Sequence, residues 1–476
     1  MLHYPTLSIF REELKNGYDY IGISFNLSTM HKIKAMVESI REFSPASKVI
    51  LGGYGTVLTD EQLAGLQADY ICREEGVAFM RRLINKKENV SSLKDAYKED
   101  KNNSFLSPGF TIDRYIFSLK VSRIGILFNA VGCPNGCDFC CASHFYKRKK
   151  IYFNSNAKKL FDQILALNNS KQSIESVIVF DDDFLIDESW AREFLHEVEV
   201  SGRTIDIMIF ASIRSISRFS AEELARMGIT KIWVGFEGKK AGYEKQQGKS
   251  FKDLVEELRQ YGIAVTASMM IGFDYQNEDI ILSELNELVS CCPSSTQIIL
   301  ITPCVGTPLW NRLEQSSRIR EETREDYRFH DGFRLLFNHP KIPAERLELL
   351  QSELYKREYQ VLGPSLFRIL YTYFLGYKKL KDYSEPFLRK RADYFKGKLQ
   401  KAYALYEIGI LFAPNHEVKK RLREEYRSIC ATIGRPVIRS VLAMIILLPF
   451  IFWTKFRFRF DIGSQPRSMK RVYNRE

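Results

Sequence analysis

Three cysteines lie in one short loop of the sequence, spaced Cys133-x3-Cys137-x2-Cys140. The apolar run Ile124–Phe128 comes directly before this loop and is typical of a buried strand. Three thiolates this close along the chain can bind three corners of a four-iron, four-sulfur cluster. Cys141 is a poor simultaneous ligand because it adjoins Cys140. The spacing therefore predicts a cluster with one iron free for a ligand other than protein.

Two other uses of these cysteines fit the spacing less well. Structural zinc takes four ligands, commonly as two separated pairs, but Cys291 and Cys292 are adjacent. A redox pair of Cys137 and Cys140 leaves Cys133 without a role. Nine cysteines, an odd number, disfavour a secreted disulfide framework. Since the chain also opens without a signal-peptide pattern, we expect a reducing cytoplasm.

The elements that position the loop alternate short apolar runs with amphipathic stretches, which indicates repeated strand–helix units. Six strands are predicted at Ile124–Phe128, Val177–Phe180, Ile205–Phe210, Lys231–Phe236, Ala264–Ile271 and Gln297–Ile301. The helices between them are predicted at Ala157–Leu167, Glu188–Val198, Ala221–Met227, Phe251–Tyr261 and Asp279–Val289. The predicted fold class is α/β, with a (β/α)6 partial parallel barrel.

The rest of the chain divides by composition into further units. Residues 1–90 contain three shorter strand–helix units and are predicted to form an abbreviated Rossmann-like domain, joined by a linker at 91–118 to the barrel at 119–315. A helical domain is expected at 316–430, and an apolar segment with a basic tail at 431–476.

Parallel-barrel enzymes carry their chemistry at the carboxyl ends of the strands. The polar residues and glycines that follow the predicted strands are Asp181, Asp182, Asp183, Ser212, Arg214, Glu237 and Gly272. The aspartates can instead form a solvated loop or a helix cap, and Glu237 a surface salt bridge with Lys239 or Lys240. The basic run at 147–150 is expected to be a solvated face. Cys304, after the sixth strand, is either inert packing or a hydrogen-atom donor.

The cysteine spacing, with aromatic Phe139 before the last cysteine, resembles the radical S-adenosylmethionine (SAM) enzymes. The resemblance implies a [4Fe-4S] cluster on Cys133, Cys137 and Cys140 whose open iron binds SAM. Phe139 is then expected beside the adenine, and the barrel residues are expected to contact the rest of SAM. In this assignment Asp181 or Asp182 holds the ammonium and Glu237 the ribose hydroxyls, with Ser212, Arg214 and Gly272 as further contacts.

The amino-terminal domain resembles the cobalamin-binding domain of one class of these enzymes. The shared features are a strand ending at Ser24, then Gly52-Gly53, Ala68-Asp69 and Glu75-Gly76. The resemblance implies cobalamin contacts at Ser24, Gly52, Gly53, Glu75 and Gly76. The sequence departs from that class because it lacks the additional first strand and the Asp-x-His-x-x-Gly motif, so cobalamin binding stays open at this point.

The resemblance implies reductive cleavage of SAM, hydrogen abstraction from an unactivated carbon and, with cobalamin, transfer of a methyl group to that carbon. An external electron donor of the flavodoxin or ferredoxin type is expected. The alternatives are a radical oxidation, cyclisation or rearrangement without methyl transfer, and a non-catalytic iron–sulfur or membrane-surface protein. A methylthiotransferase is disfavoured because only Cys72 precedes the barrel.

The basic charge of the chain is concentrated at its carboxyl end. Residues 381–476 contain 21 Lys and Arg against 9 Asp and Glu, which equals the net charge of +12 of the whole chain. Within this region Val441–Trp453 is apolar and has basic residues on both sides. The run is short for a membrane span, so it is either a core helix or an anchor in the membrane interface. We expect a hydrophobic or lipid-like substrate and a cytoplasmic protein that contacts the inner membrane face, with nucleic acid disfavoured.

Overall fold

The computed structural model describes residues 2–3, 5–84, 109–116, 119–154, 156–168, 174–238, 240–324 and 326–434. It also describes positions 449, 452, 453, 456, 459, 460, 469 and 470. Most of the predicted apolar segment 441–453 therefore lies outside the described residues. Leu2–His3 and Met469–Lys470 form a short antiparallel pair.

The amino-terminal domain is a three-stranded parallel sheet with helices. Its strands are Tyr20–Ser24, Lys48–Gly52 and Tyr70–Ile71, hydrogen-bonded in chain order. Its helices are Leu7–Leu14, Met30–Phe43, Asp60–Ala64 and Gly76–Leu83. Met30–Phe43 is amphipathic and buries Ile33, Val37 and Ile40, as the 3.6-residue period of its apolar positions predicts. The carboxyl ends of the strands carry the predicted ligand residues Ser24 and Gly52.

The central sheet has seven strands, six of them parallel. Their hydrogen-bonded order is Ser295–Leu300, Ala264–Ile271, Ile229–Glu237, Ile207–Phe210, Ile174–Phe180, Leu119–Phe128 and Gly109–Ile116. Each parallel strand pairs with its neighbour in sequence, so their carboxyl ends share one edge of the sheet. That edge is where the predicted site residues lie.

Gly109–Ile116 corrects one prediction. It falls in the segment predicted as a linker, but it forms an antiparallel strand against Leu119–Phe128. An antiparallel strand next to its partner in sequence has no intervening helix to mark a strand–helix unit, so the alternation of elements did not identify it.

Helices that connect the parallel strands or follow the last of them bury a continuous apolar core against the sheet. They are Cys141–Phe145, Ala157–Asn168, Glu188–Ser201, Ile213–Ile216, Ala221–Arg226, Phe251–Gln260, Glu278–Ser290, Pro308–Gln315 and Glu321–Arg324. Leu160, Phe194, Leu254 and Leu285 are each at most 2% exposed and face the strands. Burial of each such side chain stabilises the fold by about 1.5–3 kcal/mol relative to exposure.

Five further helices form the carboxyl-terminal domain: Ala344–Leu362, Ser365–Leu380, Pro386–Lys401, Tyr403–Leu411 and His416–Ile433. Gln351 Nε2 donates to Ile298 O at 2.9 Å, which attaches the first of these helices to the edge strand of the sheet. Within this domain the sequence also predicts a helical stretch at Asp393–Ile408, but the structure divides it, since one helix ends at Lys401 and the next begins at Tyr403. Among the described residues, no helix combines the length and hydropathy that crossing a bilayer requires.

Candidate functional site

The cysteine loop begins where strand Leu119–Phe128 ends at the carboxyl edge of the sheet. A two-residue antiparallel ladder, Ala130–Val131 with Ile151–Tyr152, closes the base of the loop. Gly132 has a φ of +83°, and a Cβ there would lie 2.2 Å from Lys149 O. Only glycine fits this close backbone approach. The turn therefore depends on the residue that precedes Cys133.

The three predicted ligand cysteines are withdrawn from solvent within this loop. Cys133 and Cys137 are buried and Cys140 is partly buried. Burial raises the pKa of Cys133 to about 12 and that of Cys140 to about 11. Burial also raises the pKa of Cys137, while the nearby Lys245 ammonium opposes that rise. Iron must therefore displace protons from these thiols, as metal binding to cysteine generally does.

The donor set fits a cluster better than a single ion. Among the described residues, no three His, Cys, Asp or Glu side chains converge closely enough to bind one metal ion. A four-iron cube binds each cysteine to a different iron and so holds the sulfurs further apart. Cys133, Cys137 and Cys140, two of them buried and one partly buried on one loop, are the thiols that would hold such a cluster.

Of the three aspartates after the second strand, Asp181 is fully buried by internal partners. Its Oδ2 accepts a hydrogen bond from Asn129 Nδ2 at 2.8 Å, and its Oδ1 lies 2.9 Å from Lys150 Nζ. The side chains of Asp181 and Lys150 are 0% and 8% exposed. Lys150 thus corrects the prediction that the run 147–150 is entirely solvated. These contacts favour a structural role for Asp181.

Asp183 is also internal, whereas Asp182 faces solvent in a cleft. Asp183 accepts from Asn135 Nδ2 at 3.1 Å and from Ser215 Oγ at 2.6 Å. Asp182 Oδ2 accepts from Gly132 N at 2.7 Å, which ties it to the cysteine loop. The surrounding cleft and the neighbouring Asp181 raise the pKa of Asp182 to about 6. Asp182 is therefore the aspartate whose carboxylate is accessible to a ligand.

Ser212 and Arg214 follow the third strand but have different surroundings. Ser212 caps helix Ile213–Ile216, and its Oγ accepts from Ser215 N at 3.2 Å. Arg214 donates to Asn135 Oδ1 at 3.0 Å and pairs with Glu244 at 2.9 Å. Arg214 therefore reaches back to the cysteine loop, while Ser212 mainly starts a helix.

Glu237 lies at the end of the fourth strand in a left-handed conformation, with a φ of +61°. It forms an ion pair with Lys245, a residue that the sequence did not offer as a partner; of the two predicted partners, Lys239 lies outside the described residues. A Cβ at Gly235 would lie 2.2 Å from Glu237 Oε1, so glycine leaves room for the pair. The sequence did not identify Lys245, because its spacing from Glu237 matches no regular element.

Phe139 connects the cysteine loop to this ion pair. Its ring contacts the Tyr243 ring edge-on at 5.3 Å, and Lys245 Nζ lies 5.4 Å from the Phe139 centroid. Tyr243 OH donates to Asp138 Oδ1 at 2.6 Å, and Arg312 pairs with the same carboxylate at 3.0 Å. These contacts hold in place Phe139, the residue that is predicted to lie beside the adenine.

Gly272 and Cys304 follow the last two strands. Gly272 has a φ of +101°, and its N donates to Gln276 Oε1 at 2.7 Å, so it mainly forms a turn. Cys304 lies in hydrogen-bond contact with Cys141, beside the cysteine loop. Cys141 thus lies beside a thiol from the segment after the sixth strand, and its exclusion from the ligand set stays a prediction.

The amino-terminal domain presents its glycine loop towards the cysteine loop. Gly53 has a φ of +84°, and a Cβ there would lie 2.8 Å from Phe25 O and from Ser24 Oγ. Tyr54, the next residue, contacts the rings of Phe145 and Tyr146 at 5.4 Å and 6.0 Å. Burial raises the pKa of Tyr54, and the charge of Asp182 raises it further. The structure thus brings both predicted cofactor regions to one cleft.

Glu75 and Gly76 lie on the same domain at the start of helix Gly76–Leu83. Glu75 caps this helix, accepting from Val77 N at 2.9 Å and also from Ala78 N. A Cβ at Gly76 would meet nothing within 4 Å. The helix cap explains the position of the Glu75 side chain without any bound ligand. The space beside Gly76 is open.

Comparisons with known proteins were made on sequence and on structure. No family model matches the chain. An uncharacterised methyltransferase of Pyrococcus horikoshii is 20% identical over 61% of this chain and 68% of its own length. The anaerobic magnesium-protoporphyrin IX monomethyl ester cyclase of Cereibacter sphaeroides is 21% identical over 68% of this chain and 54% of its own length. An uncharacterised methyltransferase of Synechocystis is 22% identical over 61% of this chain and 55% of its own length. The chain thus spans only about half of two of these relatives.

Two solved structures of the radical SAM methyltransferase TsrM from Kitasatospora setae are similar in fold. The structure with cobalamin and a [4Fe-4S] cluster has a TM-score of 0.55 at 13% identity, covering 83% of this chain and 91% of that chain. The structure with tryptophan and the SAM analogue aza-SAM has a TM-score of 0.50 at 13% identity, covering 66% and 68%. The chain is therefore similar in fold to a radical SAM methyltransferase solved with cobalamin and a [4Fe-4S] cluster, which agrees with the resemblance inferred from the sequence.

Proposed function

We propose that this chain is a radical SAM enzyme whose cluster is held by Cys133, Cys137 and Cys140. When bound, the reduced cluster supplies the electron that splits SAM into methionine and a 5′-deoxyadenosyl radical. The observation that carries the proposal is the placement of three cysteines, two buried and one partly buried, on one loop at the sheet edge where Glu237 ends its strand and Asp182 follows another. We further propose that the sheet curves into a partial barrel around this edge.

The residues of the edge are assigned by their accessibility. Asp182 holds the SAM ammonium, because its carboxylate faces the cleft while Asp181 is saturated by Asn129 and Lys150. Phe139 lies against the adenine, and the Glu237 carboxylate accepts from the ribose hydroxyls. Arg214 holds Asn135 of the cysteine loop in place. Together these residues orient the bound SAM and exclude water from the reactive carbon.

We propose that the reaction is a methyl transfer in which cobalamin supplies the methyl group. The three-stranded domain turns Gly53 and Tyr54 towards the cysteine loop, and two sequence relatives and TsrM are described as methyltransferases.

The test is anaerobic reconstitution followed by incubation with SAM and dithionite. We expect the wild-type protein to form 5′-deoxyadenosine or S-adenosylhomocysteine, the second being the product when SAM recharges cobalamin with methyl. Cys137→Ala should form neither. Equal product from the wild type and from Cys137→Ala would reject the proposal.

A radical cyclisation or oxidation without methyl transfer is the second candidate. The similarity to the anaerobic magnesium-protoporphyrin IX monomethyl ester cyclase supports it. Incubation with SAM deuterated in its methyl group separates the two functions once a substrate is found. Deuterium in the product supports methyl transfer, and a product without it supports the second candidate.

We propose a hydrophobic, lipid-like substrate and contact with an anionic membrane surface. Four aromatic side chains in the tail are 47–61% exposed: Phe452, Trp453, Phe456 and Phe460. Residues 435–476 contain nine Lys and Arg against two Asp and Glu. Exposed aromatic rings among basic residues suit the interface of an anionic bilayer.

Vesicle sedimentation tests this partner. The full chain should bind vesicles that contain phosphatidylcholine and phosphatidylglycerol more tightly than vesicles of phosphatidylcholine alone. Its binding to the mixed vesicles should weaken at high salt. The double variant Trp453→Ser, Phe456→Ser should weaken binding several-fold. Phe333→Ser should not, although Phe333, on another part of the chain, is 61% exposed against 48% for Trp453 and 47% for Phe456. Equal binding by both variants, or binding to single-stranded RNA but not to vesicles, contradicts the proposal.

A further inference from the structure

The Glu237–Lys245 ion pair is buried directly beside the cysteine loop. The side chains of Lys245 and Glu237 are only 16% and 6% exposed. Lys245 lies in the short turn Glu244–Gln246 that follows the fourth strand. A buried ammonium is expensive to desolvate, so a sequence keeps one where its charge has a partner or a task.

Three contacts fix the position of this ammonium against the loop. Lys245 Nζ lies 5.4 Å from the centroid of Phe139, which stands between Cys137 and Cys140 in the chain. Tyr243, two residues earlier, donates to Asp138 Oδ1 at 2.6 Å. Gln246 Nε2 donates to Phe236 O at 2.8 Å and holds the turn against its own strand. The ammonium therefore cannot move away without disturbing the cysteine loop.

A second ring also places Lys245 against the cysteine loop. Its Nζ lies 6.0 Å from the centroid of Tyr243, whose hydroxyl donates to Asp138 beside Cys137, so the ammonium stands next to the segment that carries Cys137 and Cys140. Accepting an electron adds one negative charge to a thiolate-bound cluster, and nearby charge is among the factors that set the potential of such clusters. A fixed cation in a site of low dielectric stabilises the added charge, and a fixed carboxylate opposes it.

We propose that Lys245 is a positioning charge that makes the cluster easier to reduce, and that Glu237 on the other side of the ammonium limits this effect. The inference rests on the proposed cluster and goes beyond it, because it assigns opposite effects to two residues in contact. The electron comes from an external reductant, and no proton transfer from Lys245 is required.

Redox titration of the reconstituted protein, followed by the electron paramagnetic resonance signal of the reduced cluster, tests the inference. Lys245→Met should lower the ratio of reduced to oxidised cluster at a fixed potential about tenfold, a shift of about 59 mV for one electron. Glu237→Gln should shift the midpoint in the opposite direction, and Lys245→Arg should keep the wild-type value. Lys249→Met is the matched control, because Lys249 pairs with Glu257 in the same region, away from the loop.

The outcomes separate this inference from the proposed function. Absence of iron and sulfide from the wild-type protein refutes the cluster itself. If the variants hold a full cluster but all keep one midpoint, the inference about Lys245 is wrong and the cluster stands. If Lys245→Met cannot hold a cluster, the Glu237→Gln variant alone tests the inference. A midpoint potential of Glu237→Gln that equals or lies below the wild-type value contradicts the charge effect. Shifts of Lys245→Met and Glu237→Gln in the same direction indicate a general disturbance and also overturn it.

Discussion

Asp181 and Asp182 are neighbours in the chain with carboxylates in different surroundings. Asp181 is buried against Asn129 and Lys150, whereas Asp182 faces the cleft and is held by Gly132 N. Removing one partner of a buried ion pair leaves the other charge uncompensated, which typically costs about 3–5 kcal/mol. Removing a carboxylate that faces solvent costs the fold much less. The roles of the two residues can therefore be told apart by measuring the thermal stability and the SAM affinity of their variants.

We expect Asp181→Asn to lower the melting temperature of the protein markedly, because Lys150 keeps its buried charge without a counter-ion. Asp182→Asn should melt like the wild type but bind SAM about tenfold more weakly, since one charge-assisted hydrogen bond is lost. Differential scanning fluorimetry and equilibrium dialysis with aza-SAM measure the two effects. If Asp181→Asn folds as well as the wild type but binds aza-SAM weakly, while Asp182→Asn binds it normally, the assignment of Asp182 as the SAM ligand is wrong.

Among single residues, the sequence alone identifies those that form a site with near neighbours in the chain. The cysteine triplet belongs to that group, because three ligands on one loop need no distant element. The choice between Asp181 and Asp182 does not, since it depends on Asn129 and Lys150, which come from other segments. Lys245 was missed for the same reason.

The helices of the carboxyl-terminal domain enclose an ionisable group at an element interface. Glu425 of helix His416–Ile433 faces Tyr371 and Tyr406 on neighbouring helices, with Arg421 and Arg259 as the nearest cations. Burial raises the pKa of Glu425 from 4.5 to about 7. Between pH 4.5 and about 7 the folded protein therefore keeps Glu425 protonated, whereas the unfolded chain has released that proton.

We expect the stability of this helical domain to fall as the pH rises from about 4.5 to 7, and to level off above that range. The loss is on the order of 3 kcal/mol, since folding must keep Glu425 protonated or bury its charge. Glu425→Gln should remove this dependence and melt at a higher temperature than wild type at pH 8. Thermal unfolding followed by circular dichroism from pH 5 to 8 measures it. Identical pH profiles for the two proteins contradict the assignment.

Elements were predictable where a local period defines them. The six parallel strands and the helices between them repeat one pattern, and Ala264–Ile271 was predicted with the bounds that the structure has. The antiparallel strand Gly109–Ile116 lies outside that pattern. The break at Ala402 was missed, because both flanking helices have apolar and helix-forming residues up to it.

At the scale of the whole molecule, the amino-terminal domain and the central sheet face each other across one cleft. Tyr54 of the glycine loop contacts Phe145 and Tyr146 of the segment after the cysteines. Sequence similarity to a domain class indicated a cobalamin-binding type of fold for the first domain and left binding itself open, and it could not place that domain against the sheet. Such placement depends on side chains far apart in the chain, which local patterns do not connect.

We expect Gly53→Ala to weaken cobalamin binding while the iron content stays at the wild-type level. The positive φ of Gly53 and the 2.8 Å approach to Phe25 O leave no room for a Cβ, so the loop must change shape. Gly65→Ala is the matched control in the same domain, because its φ is −63° and its Cβ would meet nothing within 4 Å. Spectral titration with hydroxocobalamin measures binding. Equal affinity of both variants contradicts a cobalamin role for this loop.

The most direct test of the central claim is Mössbauer and electron paramagnetic resonance spectroscopy of the anaerobically reconstituted protein, with and without SAM. The account predicts about four irons per chain, one of which changes its signal when SAM is added, because that iron has no cysteine ligand. The triple variant Cys133→Ala, Cys137→Ala, Cys140→Ala should bind no iron. A protein without iron, or a cluster whose spectrum SAM leaves unchanged, would contradict it.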